Sequence, residues 1–223
     1  MRWTVPNILT LMRLLAAPGV AVMFLYFARP LADWFALILF AAAAATDWID
    51  GYLARAWGQE TKFGTMLDPI ADKAMVVIAL LVITGFSGMD PWILLPATVI
   101  LFREVFVSGL REFLGDTAGL LKVTKLAKWK TTAQMVAIAV LFVPGIVTHH
   151  IIDRTIGMDP DTIAGIMDGT IEDVVGLHWL EAARNTFWWI GTALLWVAAL
   201  LTLMTGWDYF RKSLPFLKEE PRP

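Results

Sequence analysis

Residues 47–72 read DWIDGYLARAWGQETKFGTMLDPIAD and are the most informative stretch of this chain. Four aspartates stand in this stretch, at Asp47, Asp50, Asp68 and Asp72, and the sequence on either side of it is strongly apolar. An ionisable group in the bilayer core costs about 2.5–3.5 kcal/mol on insertion scales, so acids beside apolar runs indicate a functional site. What these four aspartates indicate depends first on whether the chain lies in a membrane.

The composition is typical of a membrane protein. Hydrophobic residues make up 58% of the 223 residues and charged residues 17%, against about 45–50% and about 25% in soluble domains. The mean hydropathy of +0.65 and the 11 tryptophans agree, because tryptophan gathers at membrane interfaces. These values exclude a disordered chain and argue against a soluble enzyme. Because the chain has 0 cysteines, disulfide scaffolds, thiolate zinc sites and cysteine nucleophiles are excluded as well.

The apolar runs predict six membrane-spanning helices, because a span needs about 20 residues and an open sheet cannot satisfy its backbone in lipid. The predicted helices cover residues 7–28, 33–57, 65–87, 91–114, 127–149 and 185–207. We therefore expect an all-α integral membrane domain over 1–210 and a polar tail over 211–223. The first helix is expected to be retained, because Arg13 and Pro18 interrupt its apolar run and no convincing cleavage site follows.

The basic residues are divided very unevenly between the two sides that six spans would create. Arg29, Arg154 and Arg184 fall on one side, and the other 15 of the 18 lysines and arginines fall on the opposite side. The positive-inside rule then predicts both termini in the cytoplasm, in the cytoplasmic (inner) membrane. The one long connection, 150–184, is predicted to be an acidic extracytoplasmic insert between the fifth and sixth helices. Its pattern suggests a short amphipathic helix within 161–173.

The spacing of the four aspartates predicts a metal-binding pocket. Asp47 and Asp50 are three residues apart and share a helix face. Asp68 and Asp72 are four apart on the next helix, where each such step drifts only about 40°. Two antiparallel helices would bring the two acidic faces together, and hard cations such as Mg²⁺ or Mn²⁺ prefer such oxygen ligands. The alternative is that the acids pair with nearby lysines and arginines and only hold the helices together.

The same stretch resembles the CDP-alcohol phosphatidyltransferase family, whose signature reads D-x2-D-G-x2-A-R-x8-G-x3-D-x3-D. Every fixed position is filled here, by Asp47, Asp50, Gly51, Ala54, Arg55, Gly64, Asp68 and Asp72. The resemblance implies the six-helix CDP-alcohol phosphotransferase fold, an active site that faces the cytoplasm, and a homodimer packed through membrane helices. It also implies that a phosphatidyl group passes from a CDP-linked lipid to an alcohol, with release of CMP.

The resemblance further implies a role for each site residue. Two divalent ions, Mg²⁺ or Mn²⁺, would be held by Asp47, Asp50, Asp68 and Asp72, with Asp72 also the general base for the acceptor hydroxyl. This chemistry is sound, because two metals can bridge a diphosphate and a neighbouring carboxylate can take the hydroxyl proton. The residues implied to bind the CDP-lipid are Asn7, Thr10, Gly51, Ala54, Arg55, Thr61 and Gly64.

The acceptor is indicated by basic residues outside the signature. A phosphorylated acceptor needs cations near the metals, and arginine suits bidentate phosphate binding while lysine supplies a point charge. The candidates are Arg103, Arg111, Lys128 and Lys130. Two alternatives stay open. Cytoplasmic loops are basic in any case and attract anionic headgroups, and Arg103 can instead pair with Glu104 or Glu112.

Residues 6–13, 103–104, 111–112 and 128–134 resemble the phosphatidylglycerophosphate synthase subfamily. This implies CDP-diacylglycerol and sn-glycerol 3-phosphate as substrates, and phosphatidylglycerophosphate and CMP as products, with no nucleic acid partner. The nearest alternative is the same chemistry with inositol phosphate, phosphatidylglycerol or serine as acceptor. A cation or proton-coupled transporter is a distant alternative, since the inverted repeats it would need are not evident. A prenyltransferase would carry different aspartate motifs.

Overall fold

The structure is a computed structural model that describes residues 4–58, 61–115, 119 and 126–217; within them, the side chains at 47–48, 50–55 and 126–128 lie outside the description. All regular secondary structure in the described part is helical. In chain order the helices are α1 (Val5–Tyr26), α2 (Leu31–Trp57), α3 (Lys62–Phe86), α4 (Pro91–Leu114), α5 (Leu126–Thr155), α6 (Pro160–Met167) and α7 (Leu177–Leu217).

The six long predicted helices are all present, and the all-α prediction is confirmed. The last helix is much longer than predicted, because it has 41 residues and begins at Leu177 rather than near 185. Its start is set by Asp173, whose carboxylate accepts the backbone N–H of Leu177 at 2.8 Å and of His178 at 2.9 Å, as helix N-caps do. Since α5 also continues to Thr155, the connection between these two helices is 156–176, which contains α6 as the predicted short helix.

Four of the described helices are long and apolar enough to cross a membrane: Val5–Tyr26, Pro91–Leu114, Trp129–Thr155 and Leu177–Leu217. The first part of α2, Leu31–Thr46, is a shorter apolar helix. The apolar parts of α2 and α3 are shorter, because charged residues of the 47–72 stretch lie at the end of α2 and at the start of α3. The helices thus support an integral membrane protein, while six spans remain a prediction.

The helices pack as two groups that meet along a seam. α1 packs against α2 and α3, while α7 packs against α4 and α5, and the groups join through α2–α5, α3–α4 and α3–α5 contacts. The centre of the seam is apolar and fully buried, with Leu80, Ile138 and Leu195 at its middle. Polar groups therefore collect at the two ends of the bundle, which we call the Asp72 end and the Arg29 end.

α1 and α3 lie side by side and run in the same direction, because α2, which connects them in sequence, runs in the opposite direction. The buried face of α1 repeats at intervals of three or four residues, through Asn7, Thr10, Arg13, Ala17 and Val20. Its first three members are polar or charged, and the rest are apolar. This face places three polar side chains against the aspartates of α3.

Candidate active site

The start of α3 is fixed by a close contact with α1. The Thr61 hydroxyl accepts the backbone N–H of Gly64 at 3.0 Å and so caps α3, and it donates to Asn7 Oδ1 at 2.8 Å. Gly64 is buried here, and a Cβ on it would lie 2.8 Å from Asn7 Oδ1. Only a glycine therefore lets the two helices approach so closely. The structure brings together Asn7, Thr61 and Gly64, three of the residues predicted to bind the CDP-lipid.

One turn further along α1, Thr10 meets the first aspartate of α3. Its hydroxyl lies 2.8 Å from Asp68 Oδ1 and 3.1 Å from the Pro6 carbonyl oxygen. A hydroxyl has one hydrogen, so it donates to one of these oxygens at a time. Thr10 is buried while Asp68 is half-buried, so the contact orients the carboxylate from its buried side.

The next turn of α1 brings Arg13 to Asp72. Arg13 Nη1 donates to Asp72 Oδ1 at 2.5 Å, with the arginine side chain 1% exposed and the aspartate 41% exposed. Arg13 is absent from the predicted site residues. The signal for it was present, because a charged residue within a predicted span indicates function and the spacing of Arg13 from Thr10 puts both on one helix face.

For the part of the signature that lies in α2, the structure describes the helical backbone but not the signature side chains. The side chains of Asp47, Asp50, Gly51, Ala54 and Arg55 lie outside the described residues, and their predicted roles stay predictions. Among the described side chains no group of three or more His, Cys, Asp or Glu forms a metal cluster. Asp68 and Asp72 nevertheless fit half of a site for a hard cation, because they offer oxygen ligands one turn apart on a partly exposed face.

A small cavity of about 160 Å³ opens beside Asp72, between α3, α4 and α5. Its polar lining comes from both groups of helices and consists of Asp72, Lys73, Glu104, Lys130, Thr131 and Gln134. The cavity thus connects the last aspartate of the signature with one of the four basic residues predicted to bind the acceptor phosphate.

A buried carboxylate, Glu104, organises the basic residues around this cavity. Its Oε1 lies 2.5 Å from Lys130 Nζ and 3.1 Å from Arg103 Nη1, and all three side chains are at most 15% exposed. Arg103 also donates to the Thr205 hydroxyl at 3.5 Å. The alternative that Arg103 pairs with Glu104 is confirmed. Glu104 itself is missing from the predicted site, because a sequence does not say which charges a helix bundle will bring together.

Lys73 and Ser108 continue the network between α3 and α4. The Lys73 ammonium donates to the Ser108 hydroxyl, and that hydroxyl donates to the Glu104 carbonyl oxygen at 2.5 Å. Arg111 lies further towards the end of α4, where it is exposed and does not line the cavity. Lys128 is in α5, but its side chain lies outside the described residues. The structure therefore brings Lys130 into the cavity beside Asp72, places Arg103 next to it through Glu104, and leaves Arg111 outside the cavity.

Comparison with known proteins gives a consistent result. The model of the CDP-alcohol phosphatidyltransferase family matches residues 3–204. A CDP-diacylglycerol–glycerol-3-phosphate 3-phosphatidyltransferase from Cereibacter sphaeroides is 64% identical over 220 residues, which is 99% of this chain and 100% of that protein. Proteins of the same name from Salmonella choleraesuis and Escherichia coli are 41% and 40% identical over 141 residues, which is 62% of this chain and 76% of each.

Proposed function

This chain belongs to the CDP-alcohol phosphatidyltransferase family, and we infer that it is a membrane enzyme of phospholipid biosynthesis with the activity of its Cereibacter relative. It transfers the phosphatidyl group from CDP-diacylglycerol to sn-glycerol 3-phosphate, giving phosphatidylglycerophosphate and CMP. The observation that carries this conclusion is the identity with that relative over nearly the whole chain, the acidic 150–184 segment included. The rest of the mechanism follows as a proposal.

We propose that two divalent ions, Mg²⁺ or Mn²⁺, are held by Asp47, Asp50, Asp68 and Asp72. The oxygen-only donor set and the half-buried position of Asp68 and Asp72 support this. When bound, such ions neutralise the diphosphate of the CDP-lipid and stabilise the departing CMP phosphate. Thr10 and Arg13 each bind an α3 carboxylate from the buried side, and so hold the two ligands in place before any ion arrives.

The CDP-lipid is proposed to bind beside the close contact between α1 and α3. Gly64 lets the two helices approach closely enough to bring the polar side chains of Asn7 and Thr61 together at the start of α3. Thr10 would act through Asp68, and Gly51, Ala54 and Arg55 of α2 would complete the pocket. Arg55 would then meet the diphosphate as a cation.

Asp72 is proposed as the general base, because it lies at the border between the α1–α3 contact and the small cavity. Glycerol 3-phosphate would bind in this cavity with its reacting hydroxyl towards the Asp72 carboxylate, which takes the proton as the oxygen attacks phosphorus. Arg13 is a positioning residue in this scheme, because it acts on the reaction through the Asp72 carboxylate that it contacts.

The acceptor phosphate would then meet Lys130, supported by Arg103, Arg111 and Lys128. Lys130 is the best supported of these, because it lines the same cavity as Asp72. A serine acceptor has no phosphate to use these cations, whereas inositol phosphate would use them equally well. The identity of the acceptor is therefore the part of the reaction that the experiment below tests most directly.

We further propose that all six long helices span the cytoplasmic membrane, with the Asp72 end and both termini in the cytoplasm. The distribution of basic residues along the sequence supports this, because six alternating spans would put only Arg29, Arg154 and Arg184 of the 18 lysines and arginines on the side opposite the signature. A homodimer is proposed from the family resemblance. The exposed apolar side chains of the spanning helices are available both to lipid and to a second copy.

The test is CMP release by the purified full-length protein in detergent, with CDP-diacylglycerol and Mg²⁺ or Mn²⁺. Glycerol 3-phosphate, inositol phosphate, serine and phosphatidylglycerol are supplied separately as acceptors. We expect release with glycerol 3-phosphate and its loss in Asp72→Asn. The matched control is Asp90→Asn at the other end of the bundle, where asparagine can still cap α4. Release with a different acceptor instead would overturn the proposed reaction and keep the metal chemistry.

A further inference from the structure

A second cavity, of about 400 Å³, lies at the Arg29 end of the bundle. It is lined by the last turns of α1 and α3, the first turn of α2, and parts of α5 and α7. Its α3 residues, Val82 to Ser87, follow Asp72 by 10 to 15 positions, which corresponds to roughly 15–22 Å along a helix. The buried apolar centre of the seam separates the two cavities, so this one is not part of the active site.

One wall of this cavity holds a preorganised guanidinium. Arg29 Nε and Nη2 donate to the two carboxylate oxygens of Asp33 at 2.7 and 2.6 Å, and Asp33 is 1% exposed. The Arg29 guanidinium lies 4.8 Å from the Phe86 ring centroid. A Cβ on Gly145 would stand 2.2 Å from both Arg29 Nη2 and Asp33 Oδ1, so α5 closes tightly over the pair.

Asp33 uses only part of the donor capacity of Arg29. A guanidinium has five N–H donors, and the two bonds to Asp33 leave three without an acceptor among the described residues. Because the arginine is already held in one conformation, a ligand that meets these donors would lose little further side-chain entropy on binding. Asp33 is buried and both of its carboxylate oxygens accept from Arg29, so it offers no free carboxylate to a cationic group.

The opposite wall adds a second cation. Arg184 of α7 lines the cavity and is 35% exposed, and it pairs through Nη2 with Glu181 at 2.5 Å. Because this pair is partly open to water, it contributes little to stability, and Arg184 can turn towards a bound anion. The charged residues in the lining are Arg29, Arg184 and Asp33, which leaves one net positive charge. The amide of Asn185 supplies further donors at the same wall.

The remaining lining is apolar and aromatic, with Phe24, Phe86, Phe142 and Trp188 as its largest members. Tryptophans also gather outside it at this end, where Trp92 packs edge-to-face with Trp189 at 6.5 Å between centroids. Such a belt marks the membrane–water interface. A site at this depth that is cationic on one side and apolar on the other suits an amphiphile better than a free hydrated ion.

We propose that the cavity at the Arg29 end binds the phosphate of an anionic phospholipid from the leaflet opposite the active site. The phosphate oxygens accept hydrogen bonds from the unused donors of Arg29 and from Arg184. The glycerol and first methylene groups pack against Phe86 and Trp188. The net positive lining selects a headgroup without an ammonium, because no unpaired carboxylate is present in the described lining to receive one.

The experiment measures binding of short-chain phosphatidylglycerol to the full-length protein in neutral detergent, without CDP-lipid, by native mass spectrometry and by the shift in melting temperature. Phosphatidylcholine of the same chain length and inorganic phosphate are titrated in parallel. We expect saturable binding of phosphatidylglycerol alone, weakened roughly tenfold or more in Arg184→Gln, as the loss of a charged hydrogen bond predicts. CMP release by this variant should equal that of the wild type, which shows that it is folded.

Three further variants test whether the lipid binds at this cavity or elsewhere. Arg154 lies at the same end of the bundle beside a different, apolar cavity, so Arg154→Gln should bind the lipid as the wild type does. Lys130→Gln tests whether the lipid occupies the active-site cavity instead, and it should also leave binding unchanged. The double variant Arg29→Gln/Asp33→Asn removes both charges of the buried pair together and should lose binding.

Three results would overturn the proposal. The first is undiminished lipid binding in both Arg184→Gln and the double variant. The second is loss of binding in Lys130→Gln. The third is a saturable shift with inorganic phosphate equal to that with the lipid, since this would identify a site for free anions rather than for lipid.

Discussion

Arg13 Nη1 and Asp72 Oδ1 lie 2.5 Å apart, although one side chain is 1% exposed and the other 41%. The cation therefore belongs to the packed interior and the carboxylate to the wall of the small cavity beside it. Removing one member of a buried ion pair leaves an uncompensated charge, which costs about 3–5 kcal/mol in buried settings. The conservative replacement at each position is thus more informative than truncation to alanine.

Asp72→Asn is expected to abolish turnover while leaving CDP-lipid binding largely intact. The amide cannot take a proton, yet its oxygen can still accept the hydrogen bond from Arg13. CMP release gives the first readout, and the shift in melting temperature caused by CDP-diacylglycerol gives the second. Retained turnover would remove the base assignment.

Arg13→Lys and Arg13→Gln separate the positioning role from a merely structural one. We expect Arg13→Gln to lower kcat by at least tenfold and to lower the melting temperature, because it leaves Asp72 without its cation. Arg13→Lys keeps the charge and should recover stability more fully than kcat, since an ammonium cannot reproduce the geometry of the guanidinium. Equal recovery of both quantities would indicate that the pair serves folding alone.

Lys130→Gln should raise KM for glycerol 3-phosphate by about tenfold or more, as loss of a charged hydrogen bond predicts, and should change KM for CDP-diacylglycerol much less. The double variant Glu104→Gln/Lys130→Gln is the control for folding, because it removes both charges of that pair together while the new amide oxygen at 104 can still accept from Arg103. It should regain stability but not acceptor affinity. Arg111→Gln should have a smaller effect on the acceptor, since Arg111 does not line the cavity. Equal changes in both KM values would contradict the acceptor-site assignment.

Gly64→Ala and Gly85→Ala form a matched pair within α3. A methyl group at 64 meets Asn7 Oδ1 at 2.8 Å and Thr61 Oγ1 at 3.3 Å, whereas one at 85 meets nothing within 4 Å. We expect Gly64→Ala to destabilise the protein by about 1–3 kcal/mol, as overpacking does, and to raise KM for CDP-diacylglycerol. Gly85→Ala should be neutral or slightly stabilising, because alanine favours helix. Thermal unfolding and CMP release distinguish the two variants.

Asp173 predicts a local dependence on pH at the start of α7. The N–H groups of His178, Leu177 and Gly176 hold the pKa of this half-buried carboxyl below its ordinary value of 3.8. A lowered pKa in the folded state gives stabilisation that is present above the unfolded value and is lost as the pH falls through the folded value. The protection factors of the amides of residues 177–180, which compare each exchange rate with that of the unfolded chain at the same pH, should therefore fall at acidic pH. Asp173→Asn keeps the cap and should remove this pH dependence, whereas an unchanged profile would contradict the assignment.

Much of the helical layout could be predicted because hydrophobic length is a local property. Each long apolar run became a helix, and the family signature identified Asp68 and Asp72 before their surroundings were known. The lengths of α5 and α7 were underestimated, because amphipathic turns next to a cap continue a helix beyond its apolar stretch. Asp173 shows this at Leu177, where two backbone N–H groups meet one carboxylate.

From the sequence alone follow the class of protein and the family to which its motif belongs, because membrane insertion and a family signature depend on residue types at fixed spacing along one or two helices. Only the tertiary structure decided which charges meet. Arg13 reaches Asp72 across 59 residues, and Lys130 reaches Glu104 across 26. Such pairs depend on the relative register and rotation of packed helices. The energy of that packing comes from many weak apolar contacts, whose combined outcome no single stretch of sequence encodes.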